Sequence, residues 1–368
     1  MRSCPEVRAF FMGEFDKIMT RAFKLAEKGL GRTSPNPAVG AVILRDGEII
    51  ATGYHRKAGL PHAEIEALKA AGEKAKGATL VTTLEPCSHF GKTPPCTDAI
   101  IRAGITKVIS AICDPNPIVC GHGFKRLRDA GIEVADKVLT DRAREFYRPY
   151  SKFISTGFPF VTLKWAQSLD GRLATKTGNS QWVSSQKSLL YSHKLRAIND
   201  AIIIGRKTLL ADNPRLTTRL VKGPNPIRII ISASGRLPAD RMAFTDRQSP
   251  TYVATLPANV RKASGNFQFI AVRGARNGLI LKELLLKLGK MGIMSVLVEG
   301  GSGTLTSFLS QKAADKIVVS AAPILIGDGI EAVGDLGIKE LINSIKLSQL
   351  KVKKAGSDLI IIGYPIWG

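Results

Sequence analysis

Three short pieces of the sequence set metal-ligating side chains beside prolines: Pro61-His62-Ala63-Glu64, Glu85-Pro86-Cys87 and Pro94-Pro95-Cys96. One imidazole and two thiols are the donor types zinc prefers, and three protein ligands leave the fourth tetrahedral position open to water. Zinc acidifies such a water, so hydroxide becomes available near neutral pH. His62 and Glu64 lie about 200° apart around a helix and cannot share one of its faces. Both can still reach a metal off the helix's N-terminal end. Cys96 follows Pro95 and opens the next predicted helix, so a second N-terminus points at the same spot, and two positive helix ends favour thiolate. Glu64 is then a general acid/base beside the water rather than a ligand. A lone His-x-Glu or a buried free cysteine is unremarkable; the conjunction of the three pieces carries the reading.

The elements that must position these groups alternate between helix and strand. Phe15, Ile18, Met19, Ala22, Leu25 and Ala26 recur at helical spacing over 14–30, and Gly29 and Gly31 close that helix. Ala38–Leu44 and Glu48–Thr52 read as strands joined at Arg45-Asp46-Gly47. Pro61 starts a helix to about Ala75. Strands at Ala78–Leu84 and Lys107–Cys113, and helices at Cys96–Ala103, Gly123–Ala130 and Asp141–Ser155, complete a layered α/β half. Gly157-Phe158-Pro159 breaks the pattern. Residues 1–13 read as a poorly structured extension, 14–156 as a first domain and 157–368 as a second. In the latter, strands fit Phe160–Ala166, Asp200–Gly205, Ile227–Ser232, Thr251–Ala254, Phe269–Val272, Ser295–Glu299, Lys316–Ala321 and Leu359–Gly363. Helices fit Ser185–Ala197, Leu279–Lys290 and Thr304–Gln311.

A chain of 368 residues is long enough for two cores. No apolar run approaches the ~20 residues of a membrane span, and Ala9-Phe10-Phe11-Met12 is too short for a signal-peptide core; a cytoplasmic protein without a membrane partner is expected. The net charge is +23, with 24 Lys+Arg against 17 Asp+Glu in 1–156 and 29 against 13 in 157–368. This excess is dispersed, with few aromatics interleaved. It fits attraction of phosphorylated small molecules better than a nucleic-acid partner. The five cysteines, Cys4, Cys87, Cys96, Cys113 and Cys120, are an odd number without an export signal, which argues against a disulfide framework. Cys113 and Cys120 flank Asp114-Pro115-Asn116-Pro117 and read as core or loop residues. In the second half, Glu299-Gly300-Gly301-Ser302-Gly303-Thr304 follows a hydrophobic strand and opens a helix, where small residues let backbone N–H groups approach a phosphate. It lacks the usual dinucleotide fingerprint.

The usual zinc-deaminase signature separates its cysteines by two residues; here eight intervene. The stretch Thr83-Leu84-Glu85-Pro86-Cys87-Ser88-His89-Phe90-Gly91-Lys92-Thr93-Pro94-Pro95-Cys96 resembles the bifunctional diaminohydroxyphosphoribosylaminopyrimidine deaminase / 5-amino-6-(5-phosphoribosylamino)uracil reductase family of riboflavin biosynthesis. Thr33-Ser34-Pro35-Asn36-Pro37-Ala38-Val39-Gly40, Asp114-Pro115-Asn116-Pro117, Leu163–Arg172, Gly178–Trp182 and Leu210–Thr217 fit the same family. The resemblance implies a cytidine-deaminase-like three-layer α/β/α domain followed by a dihydrofolate-reductase-like α/β domain. It implies Zn2+ on His62, Cys87 and Cys96, with Glu64 as proton shuttle. NADP(H) contacts are implied at Ala166, Trp182, Thr208, Asp212, Ser234, Gly300, Gly301, Ser302, Gly303, Thr304, Leu305 and Thr306. Substrate contacts are implied at Ser180, Arg196, Leu216, Arg219 and Glu299, with Asn36 expected at the pyrimidine. Arg196 and Arg219 suit a ribose 5-phosphate, as do His89 and Lys92 in the longer cysteine loop. Asp212 is the candidate for assisting proton movement in the NADPH-dependent step. A homo-oligomer is expected, since both parent folds commonly associate.

Overall fold

Strands β1 (Gly40–Arg45) and β2 (Glu48–Tyr54) form an antiparallel hairpin. Asp46 and Gly47 turn it with φ of 51° and 79°, the left-handed pair that suits a two-residue hairpin. The computed structural model describes residues 5–90, 94–180, 183–262, 265–275 and 278–367, and for residues 5–14 the backbone alone. The chain divides into two compact units, Met1–Thr156 and Gly157–Gly368.

In the first unit β1 also pairs antiparallel with β3 (Thr79–Thr82), and β3 runs parallel to β4 (Lys107–Ser110) and β4 to β5 (Glu133–Ala135). The sheet order is β2-β1-β3-β4-β5. Ala41, Val42 and Ile43 are all fully buried, so both faces of the sheet are covered. The helices are α1 (Pro5–Ala26), α2 (Ala63–Ala71), α3 (Cys96–Arg102), α4 (His122–Asp129), α5 (Thr140–Phe146) and α6 (Arg148–Thr156). The result is a three-layer α/β/α unit.

Three sequence expectations need correction here. Residues 1–13 were expected to lack structure, yet α1 runs unbroken from Pro5; proline is at home in a helix's first turn, and nothing between it and Glu14 stops the helix. The helix expected to reach Ala75 is α2 plus a 3-10 turn, because Gly72 leaves helical geometry at φ 56°. The single helix expected over 141–155 is two, parted at Tyr147. That buried ring turns its hydroxyl onto Thr83 Oγ1 at 2.6 Å and the Ala38 carbonyl at 3.0 Å, tying the break to β1's approach.

The second unit is built on a nine-stranded sheet. Its strands are β6 (Phe160–Gln167), β8 (Ala201–Gly205), β9 (Ile227–Ile231), β10 (Thr251–Thr255), β11 (Gln268–Ala271), β14 (Ser295–Val298), β15 (Lys316–Ala321), β17 (Lys346–Ala355) and β18 (Asp358–Ile366). They lie in the order β11-β10-β9-β8-β14-β6-β15-β18-β17. The first seven are parallel; β18 and β17 add an antiparallel edge. Two short pairs, β7 (Arg172–Thr175) with β16 (Gly329–Glu331) and β12 (Gly274–Ala275) with β13 (Gly278–Leu279), stand apart from it. The helices are α7 (Gln186–Ile198), α8 (Arg206–Asp212), α9 (Met242–Thr245), α10 (Leu281–Lys290) and α11 (Ser302–Ser310). Ile203, Val296 and Val298 enter one hydrophobic cluster while Ile202, Ile204 and Leu297 enter another, so the central strands are buried on both faces. That is why they read as continuous apolar runs rather than alternating ones.

Candidate functional site

The first unit brings its proposed metal ligands together at two helix N-termini. His62 is the N-cap of α2, with extended backbone (φ −70°, ψ 164°), and its ring makes no capping bond. It turns instead to the thiols, with Nδ1 3.3 Å from Cys96 Sγ and 3.6 Å from Cys87 Sγ. Cys96 is the first residue of α3, fully buried, and its backbone N–H donates to Cys87 Sγ at 3.3 Å. The ligand atoms of His62, Cys87 and Cys96 all lie within 4.8 Å of one another, and among the described residues they form the one such group of three. A nitrogen and two sulfurs at this spacing fit a zinc ion with one position left open. His89 is exposed and outside the group.

The hydrogen bond from the Cys96 thiol lowers the Cys87 thiol to about 4, with further help from His62, against burial. The Cys96 thiol is pushed up by the same bond and by burial. Glu64 is 3% exposed, and Cys96 Sγ lies 3.6 Å from its Oε2. Burial raises its carboxyl above the ordinary range, opposed by His62. A carboxyl shifted upward holds its proton more firmly than an ordinary carboxylate, which suits a group that must take up and release protons.

Four groups whose part could not be read from the sequence brace this centre. Glu85, two residues before Cys87, is buried. Its Oε2 accepts from Asp114 N–H at 3.1 Å, Gly121 N–H at 2.9 Å and Cys113 Sγ at 2.9 Å, and its Oε1 accepts from Phe124 N–H at 3.0 Å. The N-terminus of α4 therefore closes on this carboxylate. Gly123 permits the approach: a Cβ there would meet the Pro86 carbonyl at 2.1 Å. Asp114 is buried and raised to about 6 by desolvation, and its Oδ1 accepts from Asn116 N–H and the Tyr150 hydroxyl. His55 packs edge-on against His62, ring centroids 5.2 Å apart. Its Nδ1 lies 3.0 Å from the Pro61 carbonyl, which can only accept, so Nδ1 carries the proton and Nε2 is left to accept from Asn36 Nδ2 at 3.5 Å. Asn36 is thereby held two rings from the metal cluster. The Glu-Pro-Cys and Asp-Pro-Asn-Pro motifs were visible in sequence; their contact through Glu85 was not.

In the second unit the expected cofactor residues gather along one edge of the sheet. Ala166 lies near the end of β6, Thr208 in α8 just past β8, Ser234 just past β9, and Gly300–Thr306 just past β14. These four strands are neighbours, and ligands of open parallel sheets bind beyond such carboxyl ends. Gly301 is the N-cap of α11, and its N–H donates to Thr208 Oγ1 at 3.1 Å, joining the starts of α8 and α11. A Cβ on Gly300 would strike the Thr304 side chain at 2.5 Å, so the turn admits no larger residue. Space around Gly303 is open. The bare turn and the helix start fit the phosphates of a dinucleotide.

A cavity of about 320 Å³ lies beside this edge, lined by Arg196, Asp212, Asn213, Arg215, Leu216 and Arg219 among others. Asn213 ends α8 with φ 41° and accepts from Met242 N–H at 2.8 Å; Leu216, buried, has φ 57°. These two left-handed residues fold the Asp-Asn-Pro-Arg-Leu-Thr segment around the cavity. Asp212 is exposed at the last turn of α8, its carboxyl raised by partial burial. Arg196 and Glu299 meet each other: Nη2–Oε2 is 2.6 Å, both Nε–Oε distances are 3.2 Å, and Nη1 donates to the Thr217 carbonyl at 3.2 Å. Arg196 is thus drawn to a carboxylate rather than left as an open phosphate clamp, whereas Arg219 is exposed on the cavity. Lys164 and His193 complete this charged group. Burial pushes the Lys164 ammonium down, and burial with Arg196 and Arg219 pulls His193 down to about 4. Ser180 is exposed, its carbonyl accepting from Val183 N–H at 3.1 Å. Lys92 and Trp182 lie outside the described residues.

Comparison with known proteins follows this division. The cytidine and deoxycytidylate deaminase zinc-binding region matches residues 12–112, and the RibD C-terminal domain matches 159–361. The riboflavin biosynthesis protein RibD of Aquifex aeolicus is 46% identical over 350 residues, covering 95% of this chain and 98% of its own. The chain belongs to the RibD family. The Escherichia coli RibD is 38% identical over 358 residues, 93% of this chain and 97% of its own. A Thermotoga maritima diaminohydroxyphosphoribosylaminopyrimidine deaminase/5-amino-6-(5-phosphoribosylamino)uracil reductase superimposes with a TM-score of 0.86 at 35% identity, over 97% of this chain and 100% of that one. The Acinetobacter baumannii RibD gives the same score and identity.

Proposed function

We propose that this RibD-family chain is a bifunctional enzyme of riboflavin biosynthesis, hydrolytically deaminating 2,5-diamino-6-(5-phosphoribosylamino)pyrimidin-4-one in its first unit. Its second unit reduces the resulting 5-amino-6-(5-phosphoribosylamino)uracil with NADPH. The observation that carries this reading is the convergence of His62, Cys87 and Cys96 within 4.8 Å beside the buried Glu64, in a chain whose other half is a RibD reductase domain.

His62, Cys87 and Cys96 would hold a zinc ion, which would supply the acidity that makes water nucleophilic near neutral pH. Glu64, buried beside these three residues, would take up a proton from the attacking water and deliver protons to the ring nitrogen and the departing ammonia. His55 holds Asn36, our candidate for the pyrimidine contact. His89 and Lys92 are our candidates for the 5-phosphate. Lys92→Ala should raise KM for deamination far more than it lowers kcat, and an unchanged KM would remove Lys92 from the substrate site.

In the second unit bound NADPH would supply the hydride, and the protein's own task would be alignment. We assign the dinucleotide to Ala166, Trp182, Thr208, Asp212, Ser234 and the Gly300–Thr306 turn. The sugar phosphate goes to the cavity bearing Leu216 and Arg219, with Ser180 and the Arg196–Glu299 pair beside it. Asp212, its carboxyl raised by desolvation, is the candidate proton carrier. Its substitution by Ala should slow NADPH oxidation and spare ammonia release; equal loss of both would point to misfolding. The dispersed positive charge favours phosphorylated small molecules over nucleic acid as partners, and self-association is expected of both folds. No described helix is long and apolar enough to cross a membrane. Incubating the protein with the diaminopyrimidine and stripping or restoring zinc tests the first step: ammonia release must follow the metal.

A further inference from the structure

Cys113 and Cys120 have no part in either reaction, yet their Sγ atoms lie 3.0 Å apart. Two Asx turns bring them together. Asp114 Oδ1 accepts from Asn116 N–H at 2.8 Å, and Asn116 Oδ1 accepts from Ile118 N–H at 3.1 Å. The Asn116 carbonyl then takes Val119 N–H and Cys120 N–H, each at 2.9 Å, which coils the loop back on itself. Glu85 holds both ends of it, through Asp114 N–H and Gly121 N–H. Cys113 is half-buried and Cys120 exposed, so one thiol is open to a reagent and the other waits directly behind it. Neither belongs to the metal-ligand group.

We propose that Cys113 and Cys120 form a reactive dithiol that closes to a disulfide when it meets a small-molecule disulfide. The Cys120 thiolate attacks one sulfur of the reagent RSSR, making a mixed disulfide and releasing RS−. Cys113 sulfur then attacks the Cys120 sulfur and expels the second RS−. The two thiol protons go to the two released thiolates, so two protein thiols are oxidised and one RSSR is reduced to two RSH. The sulfurs need approach by only about 1 Å to reach bonding distance. Closure takes the S–H donor away from Glu85 Oε2, but the N–H groups of Asp114, Gly121 and Phe124 still hold that carboxylate. The loop that carries Cys87 therefore keeps its anchor, and the zinc should stay.

The test uses the zinc-loaded full chain and glutathione disulfide. The expected product is lighter by two hydrogens, retains its zinc, yields a linked Cys113–Cys120 peptide on digestion, and reverts with dithiothreitol. Cys120→Ser should abolish the reaction, and Cys113→Ser should instead stop at a lasting glutathione adduct on Cys120. Because Cys120 is exposed, the first variant should fold. A lasting adduct on the unaltered protein, no reaction at all, or a Cys87–Cys96 link with loss of zinc would each overturn the proposal.

Discussion

The two units solve the same problem, holding polar groups ready for a ligand, in opposite ways. In the first, Glu64 and Cys96 are almost wholly buried, and helix starts, a histidine pair and the Glu85 carboxylate brace the groups around them. In the second, Asp212, Arg219, Ser180 and Ser234 are exposed, while Arg196 and Glu299 are held together as an ion pair. Burial shifts proton affinities and makes a site that does chemistry with its own side chains. An open edge suits a site whose chemistry would come with the cofactor rather than from buried side chains.

This contrast can be broken by substitution. Glu64→Gln should lower deamination by at least about a hundred- to ten-thousand-fold while zinc content and NADPH oxidation on deaminated substrate stay unchanged. Comparable loss of zinc would make Glu64 structural. Next in size, Glu299→Gln leaves the Arg196 guanidinium, 12% exposed, beside a neutral partner. Removing one member of such a pair costs about 3–5 kcal/mol, so the melting transition of the second unit should fall and that of the first should not. A drop in both would contradict a local role for this pair.

The smallest expected effect concerns pH, and its sign differs between the units. Asp114 is raised from 3.8 to about 6, so its contribution favours folding below pH 4 and is lost as pH rises through 6. Asp114→Asn keeps the acceptor oxygen and should therefore stabilise the first unit more at pH 7 than at pH 4, by roughly 2 kcal/mol or less. His193 is lowered from 6.5 to about 4, and neither ring nitrogen has a hydrogen-bond partner among the described residues. Its contribution is present above pH 6.5 and lost as pH falls through 4. His193→Leu should therefore blunt the acid sensitivity of the second unit. Melting curves of each variant from pH 4 to 7 would decide; parallel slopes in the two units would refute the sign difference.

How far each site was legible follows from the same contrast. Zinc chemistry demands fixed donor types, so His62, Cys87 and Cys96 announced themselves, and the prolines marked the helix starts that carry two of them. Glu85 stayed hidden because its role is to accept backbone N–H groups from a loop about thirty residues away, a contact that leaves no local signature. Apolar central strands such as 201–205 were plain. Strand β17 was not, since it is an exposed edge rich in lysine and shows no alternation of buried and exposed residues. Helix α8 was missed because Asp212-Asn213-Pro214 reads as a turn, and the turn is indeed there, at the helix's end. The pairing of Arg196 with Glu299 joins residues about a hundred positions apart and could be found only in three dimensions.

The most direct test of the account follows ammonia release and NADPH oxidation separately, on the unaltered protein and on Glu64→Gln, with the diaminopyrimidine ribosyl phosphate and then with its deaminated product. We expect the unaltered protein to give both signals on the first compound. The variant should give neither on the first and normal NADPH oxidation on the second. NADPH oxidation by the variant on the undeaminated compound, or ammonia release that survives loss of Glu64, would contradict the account.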